Sequence, residues 1–144
     1  MKRHESLAPL SREHHGALML AQLIKRNAPV YKNLPTTIVD KAAYALQVYK
    51  DDLKKHFKKE EEMLKKVSPV HPSIAKVAGE IVSEHQLLKE LFLSIKDAVD
   101  QEAILNELGN ELDAHIRKEE RILFPLIQKH CSEELLQKIR PLLA

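Results

Sequence analysis

The chain has 144 residues, enough for one domain with a real core, and its 3 glycines, lack of tryptophan and abundance of Leu, Lys, Glu and Ala favour helix throughout. Its 23 basic and 21 acidic residues leave a formal charge of +2, a near-balance that argues against a dedicated nucleic-acid binder. The lone Cys131 excludes an intramolecular disulfide and fits a reducing compartment. No run approaches the ~18 apolar residues of a membrane span, and the N-terminus leads into no apolar signal core. A soluble cytoplasmic protein with no membrane partner is the expectation.

Seven prolines and the apolar period divide the chain into elements. The first helix is expected over residues 11–28, with Ser11 as N-cap and Pro29 as its stop. Its inward stripe is Leu7, Leu10, His14, Ala17, Ala21, Ile24 and Ala28. The second runs over 36–67, where Thr37 and Asp40 suggest a cap. Its stripe is Ala42, Leu46, Tyr49, Leu53, His56, Glu60, Met63 and Val67. The third, over 73–99, carries Ile74, Ala78, Ile81, His85, Leu88, Phe92, Ile95 and Val99. The fourth, over 102–130, carries Leu105, Leu108, Leu112, His115, Glu119, Ile122 and Leu126. Pro125 should kink or loosen its end. Ser132 caps a short amphipathic segment through Ile139, and Pro141 ends it. The fold class is all-α: an up-down-up-down four-helix bundle with a short C-terminal fifth helix, one domain over residues 1–144.

One stretch recurs. His56-Phe-Lys-Lys-Glu60-Glu-Glu-Met-Leu64 returns as His115-Ile-Arg-Lys-Glu119-Glu-Arg-Ile-Leu123, with His, Lys, Glu, Glu and Leu at matching offsets. His and Glu four apart share one helix face, and here that face is the apolar one. The first and third helices echo each other too, through Glu13-His14 and Glu84-His85. The chain thus reads as a two-fold repeat of helix pairs, each supplying one His and one His-x-x-x-Glu.

A single His on an apolar face is more often a satisfied core histidine, and a single seam Glu can set register. Four histidines and two glutamates in one layer are a different matter. A buried carboxylate without a partner is costly, so six such groups need one another or an ion. They exceed the four ligands of one tetrahedral zinc. They suit two ions, each with two His, bridged by both Glu, and mixed imidazole and carboxylate donors suit iron or manganese. The candidate metal ligands are His14, His56, Glu60, His85, His115 and Glu119. His14 pairs with His56 and His85 with His115, or the split is crosswise. Either metal leaves positions for an oxo or hydroxo bridge and for a small gaseous or oxidant ligand.

The other polar residues rank lower. His15 is one residue off the stripe and is the backup for His14. His4, His71 and His130 are expected in solvent. Glu61, Glu62 and Glu120 read as surface charges beside the seam. Glu13 and Glu84 are acceptors for a ligand imidazole or part of a solvated face. Lys89, one turn after His85, reaches the site or snorkels outward. Tyr49 reads as core. The pairs Lys54-Lys55 and Lys58-Lys59 alternate with acids and read as a solvated face.

Glu-His in the first helix, His-Phe-x-x-Glu-Glu in the second, Glu-His in the third and His-Ile-x-x-Glu-Glu-x-x-Leu-Phe-Pro in the fourth resemble the hemerythrin-like, HHE cation-binding domain family. The likeness covers roughly residues 10–126. It implies a four-helix bundle holding a non-haem di-iron centre on His14, His56, Glu60, His85, His115 and Glu119, two iron ions with an oxo or hydroxo bridge, ahead of manganese or zinc. Two departures separate the chain from oxygen-carrying hemerythrins. Their second histidine of the third helix is here Lys89, and their His-x-x-x-x-Asp is here His115-x-x-x-Glu119. The four-His, two-Glu set is similar to that of iron–sulfur-repair di-iron proteins and iron-sensing hemerythrin domains. The resemblance implies binding or sensing of dioxygen, nitric oxide or iron itself. The alternatives are a di-iron enzyme or iron donor acting on peroxide or nitric oxide or in iron–sulfur repair, and a structural helical interaction module.

Overall fold

A computed structural model describes residues 2–144, and among them there is helix but no strand. Helix α1 (Ala8–Ile24) is followed by a long rod made of α2 (Ile38–Val48), a π turn (Tyr49–Leu53) and α3 (Lys54–Val67). Helix α4 (Pro72–Ser94) returns, and a second rod follows: α5 (Gln101–Lys118), a π turn (Glu119–Leu123) and α6 (Phe124–His130). Helix α7 (Glu133–Leu143) closes one end against α3. The architecture is the expected four-helix bundle with a short fifth helix. Among the described residues no helix is long and apolar enough to cross a membrane.

Local chemistry sets most boundaries. Thr37 accepts from the Asp40 amide, Asp100 from Ala103 and Ser132 from Leu135, each an N-cap of the ordinary kind. His71 caps α4 by accepting the Ser73 amide on its imidazole. Several expected boundaries move. Helix α1 begins at Ala8, ahead of Ser11, whose hydroxyl instead donates to Glu120 across the bundle. It ends at Ile24 rather than at Pro29, because the Arg26 amide is taken by the Asn106 side chain at 2.8 Å and Asn27 turns left-handed. Helix α4 ends before Val99, which is fully exposed. Pro141 does not end α7: it sits on the exposed side, and the helix continues far enough to bury Leu143.

Just ahead of Pro125 the helix takes one turn of π geometry. In Glu119–Leu123 the Phe124 amide donates to the Glu119 carbonyl, one residue further back than α geometry allows. That extra residue rotates everything after it. The inward stripe therefore passes from Glu119 to Leu123 and Ile127, both fully buried, while Ile122 is turned out and Leu126 is half-buried.

The core falls into two apolar clusters. One gathers Ala17, Leu53, Phe57, Leu88, Phe92, Leu112 and Ile116 with their neighbours. The other gathers Leu10, Met63, Ile81, Leu123, Phe124 and Ile139 with theirs. On every main helix the site residues lie at the join: His14 between Leu10 and Ala17, Glu60 between Phe57 and Met63, His85 between Ile81 and Leu88, Glu119 between Ile116 and Leu123. A polar layer thus crosses a bundle that is otherwise oily.

Candidate metal centre

Four elements deliver the layer. Helix α1 brings His14, α3 brings His56 and Glu60, α4 brings His85, and α5 with its π turn brings His115 and Glu119. All six are buried, the two carboxylates completely. The structure brings together all six residues singled out from the sequence. His15, the alternative to His14, is exposed.

The Nε2 atoms and carboxylates converge. His56 Nε2 lies 3.0 Å from Glu60 Oε2 and 3.0 Å from His14 Nε2. His14 Nε2 lies 3.3 Å from Glu60 and 3.5 Å from Glu119. On the other side, His85 Nε2 lies 3.1 Å from Glu60 Oε1, and His115 Nε2 lies 3.0 Å from Glu119 Oε1. Two groups result, His14–His56–Glu60–Glu119 and Glu60–His85–His115–Glu119, each with its donor atoms within 4.8 Å of one another. Both groups use the same two glutamates, and the imidazoles divide as His14 with His56 and His85 with His115.

Each imidazole is held from behind by a carboxylate on its Nδ1. His14 meets Glu120 at 2.6 Å, His56 meets Glu13 at 2.7 Å, His85 meets Glu61 at 2.8 Å and His115 meets Glu84 at 2.8 Å. A carboxylate only accepts, so Nδ1 carries a hydrogen and Nε2 is the ring atom turned to the layer. The pattern is two-fold. The Glu preceding a histidine in α1 or α4 serves the next rod, and the Glu following each buried Glu serves α4 or α1. Lysines three residues after His56 and His115 hold two of these carboxylates: Lys59 reaches Glu13 and Lys118 reaches Glu84, both at 2.7 Å. Glu13 and Glu84 are thus acceptors, one of the two roles left open. Glu61 and Glu120, expected as surface charges, are acceptors too. The available signal was their repeat: each directly follows a seam Glu in the duplicated stretch.

Burial opposes a charged imidazole, yet the facing carboxylates outweigh it. The His14 pKa is pushed up to about 12 by Glu119, Glu120 and Glu60. That of His56 rises to about 9 through Glu60 and Glu13, and that of His115 to about 10 through Glu119, Glu84 and Glu60. Burial would raise the Glu60 carboxyl, but His56, Glu119 and His14 hold it well below the usual carboxylate range. The layer therefore attracts positive charge strongly.

Even so, three buried atoms have no hydrogen-bond partner: His115 Nε2 and both oxygens of Glu119. His115 Nε2 and Glu119 Oε1 are 3.0 Å apart without hydrogen-bond alignment. Buried polar atoms seldom stay unpaired. An imidazole nitrogen and a carboxylate side by side and unpaired, with the other donors of their group within 4.8 Å, are placed to share a cation once the imidazole gives up its proton, so the residues present fit a metal.

A family model for the hemerythrin HHE cation-binding domain matches residues 5–127. The chain belongs to the hemerythrin HHE cation-binding family. No curated protein and no solved structure matches it. Membership makes cation binding the coarse function, and the two His/Glu groups are the place that could hold the metal.

The remaining residues sort themselves around this hemerythrin-like centre. Lys89, standing where oxygen carriers have a further histidine, is exposed and supplies no fifth imidazole. His71 and His130 stack on each other at 3.8 Å, away from the layer, and His4 pairs with Glu133; none is simply solvated as expected. Tyr49 is core, stacked on Phe92. Shallow grooves on the surface reach the outer edge of His56 and of His85.

Proposed function

We propose that this hemerythrin-family chain is a non-haem di-iron protein that binds or senses a small ligand, dioxygen, nitric oxide or iron itself. What carries the reading is the sharing of Glu60 and Glu119 between two buried donor groups, each with two imidazoles. Two carboxylates common to two sites suit a bridged pair of ions better than one tetrahedral zinc. Mixed nitrogen and oxygen donors on facing bundle helices favour iron, with manganese and zinc behind it.

The chain's own residues would act as follows. Glu13, Glu61, Glu84 and Glu120 orient the imidazoles and raise their basicity through Nδ1. Phe57, stacked on His85 at 4.3 Å, and Phe124, parallel to His14 at 5.7 Å, press the rings into place and keep water from the layer. A bound pair of irons would supply adjacent redox-active centres with coordination left for a small molecule. Exposure of Lys89 leaves the protein donors at four His and two Glu, which favours reactivity over simple carriage.

Elemental analysis and an optical spectrum of protein purified from iron-replete cells test this. Two irons per chain are expected, with near-ultraviolet charge-transfer bands that respond to one of these ligands. A single zinc, or no metal after gentle purification, overturns the reading. The Glu60→Ala/Glu119→Ala double variant is expected to be empty, and full iron content in it would refute the bridging role. Turnover of peroxide or nitric oxide well above that of free iron would reassign the chain as an enzyme.

A further inference from the structure

The carboxylates behind the imidazoles are not held alike. Glu13 and Glu84 are fastened by Lys59 and Lys118, which lie on the same helices as the histidines those carboxylates serve. Glu120 is fastened from outside the bundle, by the segment that precedes α1. There Arg3 Nη2 donates to the Glu120 carboxylate at 3.2 Å and to the Glu120 backbone carbonyl at 2.9 Å, and Nη1 donates to Gln128 at 3.2 Å.

The carbonyl contact has a cause in the chain. In the π turn the Phe124 amide goes to Glu119, and Pro125 has no amide hydrogen. Glu120 therefore loses the donor that either the α or the π pattern would give it, and Arg3 replaces that donor. The same guanidinium lies 5.1 Å above the Phe124 ring, whose plane stacks on His14. Ser11 completes the pocket by donating to Glu120 at 2.8 Å. Arg3 therefore touches the backbone that aims Glu119, the carboxylate that orients His14 and the ring that packs on His14.

We propose that Arg3 is a positioning residue of the metal layer, fastening the N-terminal segment to the π turn so that His14 and Glu119 keep their aim. A planar fork suits this role, because one guanidinium serves a carbonyl, a carboxylate and an amide oxygen at once. The proposal rests on the reading that the layer holds metal.

The test loads the full chain with ferrous iron, adds excess chelator and follows release optically, well below the melting temperature. Removing a direct outer acceptor typically costs 10–100-fold in metal affinity. Arg3 acts one step further out, so Arg3→Gln is expected to speed release about 3–10-fold. Arg3→Lys, which keeps the charge but not the fork, should fall between. Glu133→Ala is the control: it removes the His4–Glu133 anchor of the same segment without touching Glu120, and should release iron at the unvaried rate. Hydrogen exchange on the metal-free chain supplies an independent readout, with faster exchange expected at residues 120–124 in Arg3→Gln only. Unchanged release and exchange in Arg3→Gln would overturn the proposal, as would equal acceleration by Glu133→Ala, which means general fraying. If the unvaried chain retains no iron at all, the metal reading fails first and this inference falls with it, an outcome distinct from the others.

Discussion

At the scale of single residues, the layer trades protons for metal, and the sign of that exchange can be worked out. Without metal, the raised pKa values of His14, His56 and His115 contribute stability in full below the unfolded value near 6.5. That contribution is lost as pH rises toward about 9 to 12. The lowered Glu60 contributes in full above about 4.5 and is lost as pH falls toward its depressed value. Metal-free protein should therefore be most stable between about pH 4.5 and 6.5 and weaken on the alkaline side. Metal cancels the trend there, since ligated imidazoles carry no proton to lose and metal competes better as pH rises. Melting curves of both forms from pH 5 to 9 check this, and parallel slopes would contradict it. The six inward residues were legible in the sequence because burial of a charged group at helical spacing is a local pattern. Glu61 and Glu120 were not, because a Glu beside a seam reads as solvated until the facing helix puts an imidazole within 3 Å of it.

At the scale of elements, the π turn at Glu119–Leu123 makes a prediction that an unbroken α-helix does not. Leu123→Ser places a hydroxyl in the closed core and should cost about 3 kcal/mol or more. Ile122→Ser lies outside and should stay within about 0.5–1 kcal/mol. Urea unfolding decides, and the reverse order would restore the α register. The packing of α1 on α5 gives a second prediction. A Cβ at Gly109 would stand 2.7 Å from the Ala21 carbonyl oxygen and 2.9 Å from Lys25 Cγ. Gly109→Ala should therefore destabilise by about 1–3 kcal/mol despite its better helix propensity. Gly79→Ala meets nothing within 4 Å and should stabilise by about 0.5–1 kcal/mol.

At the scale of the whole molecule, the bundle is two apolar clusters joined across a charged layer. An ion that binds only the folded state stabilises it by about 2.7 kcal/mol when present at 100 times its dissociation constant. At roughly 3 °C per kcal/mol for a chain of this size, each ion should raise melting by about 8 °C. Calorimetry before and after exhaustive chelation measures the shift, and identical curves would count against a metal in this layer. Helix α7 contributes to the cluster beyond the layer, where Leu136, Ile139 and Leu143 cover Met63, Val67 and their neighbours. The join therefore stands in the middle of the packed core rather than at an open end.

The sequence by itself determined the helices, the two-fold repeat, the four histidines and two glutamates of the layer, and the family they resemble. Each of these depends on spacing along one chain, where 3.6 residues per turn convert order into direction. The tertiary structure decided the grouping of the imidazoles, the carboxylate behind each one, the π register that turns Ile122 out, and the hold of Arg3 on Glu120. Those depend on which helix faces which, and on a carbonyl left free by Pro125 finding its donor more than a hundred residues away. Distance in space is not written in the spacing of a single helix.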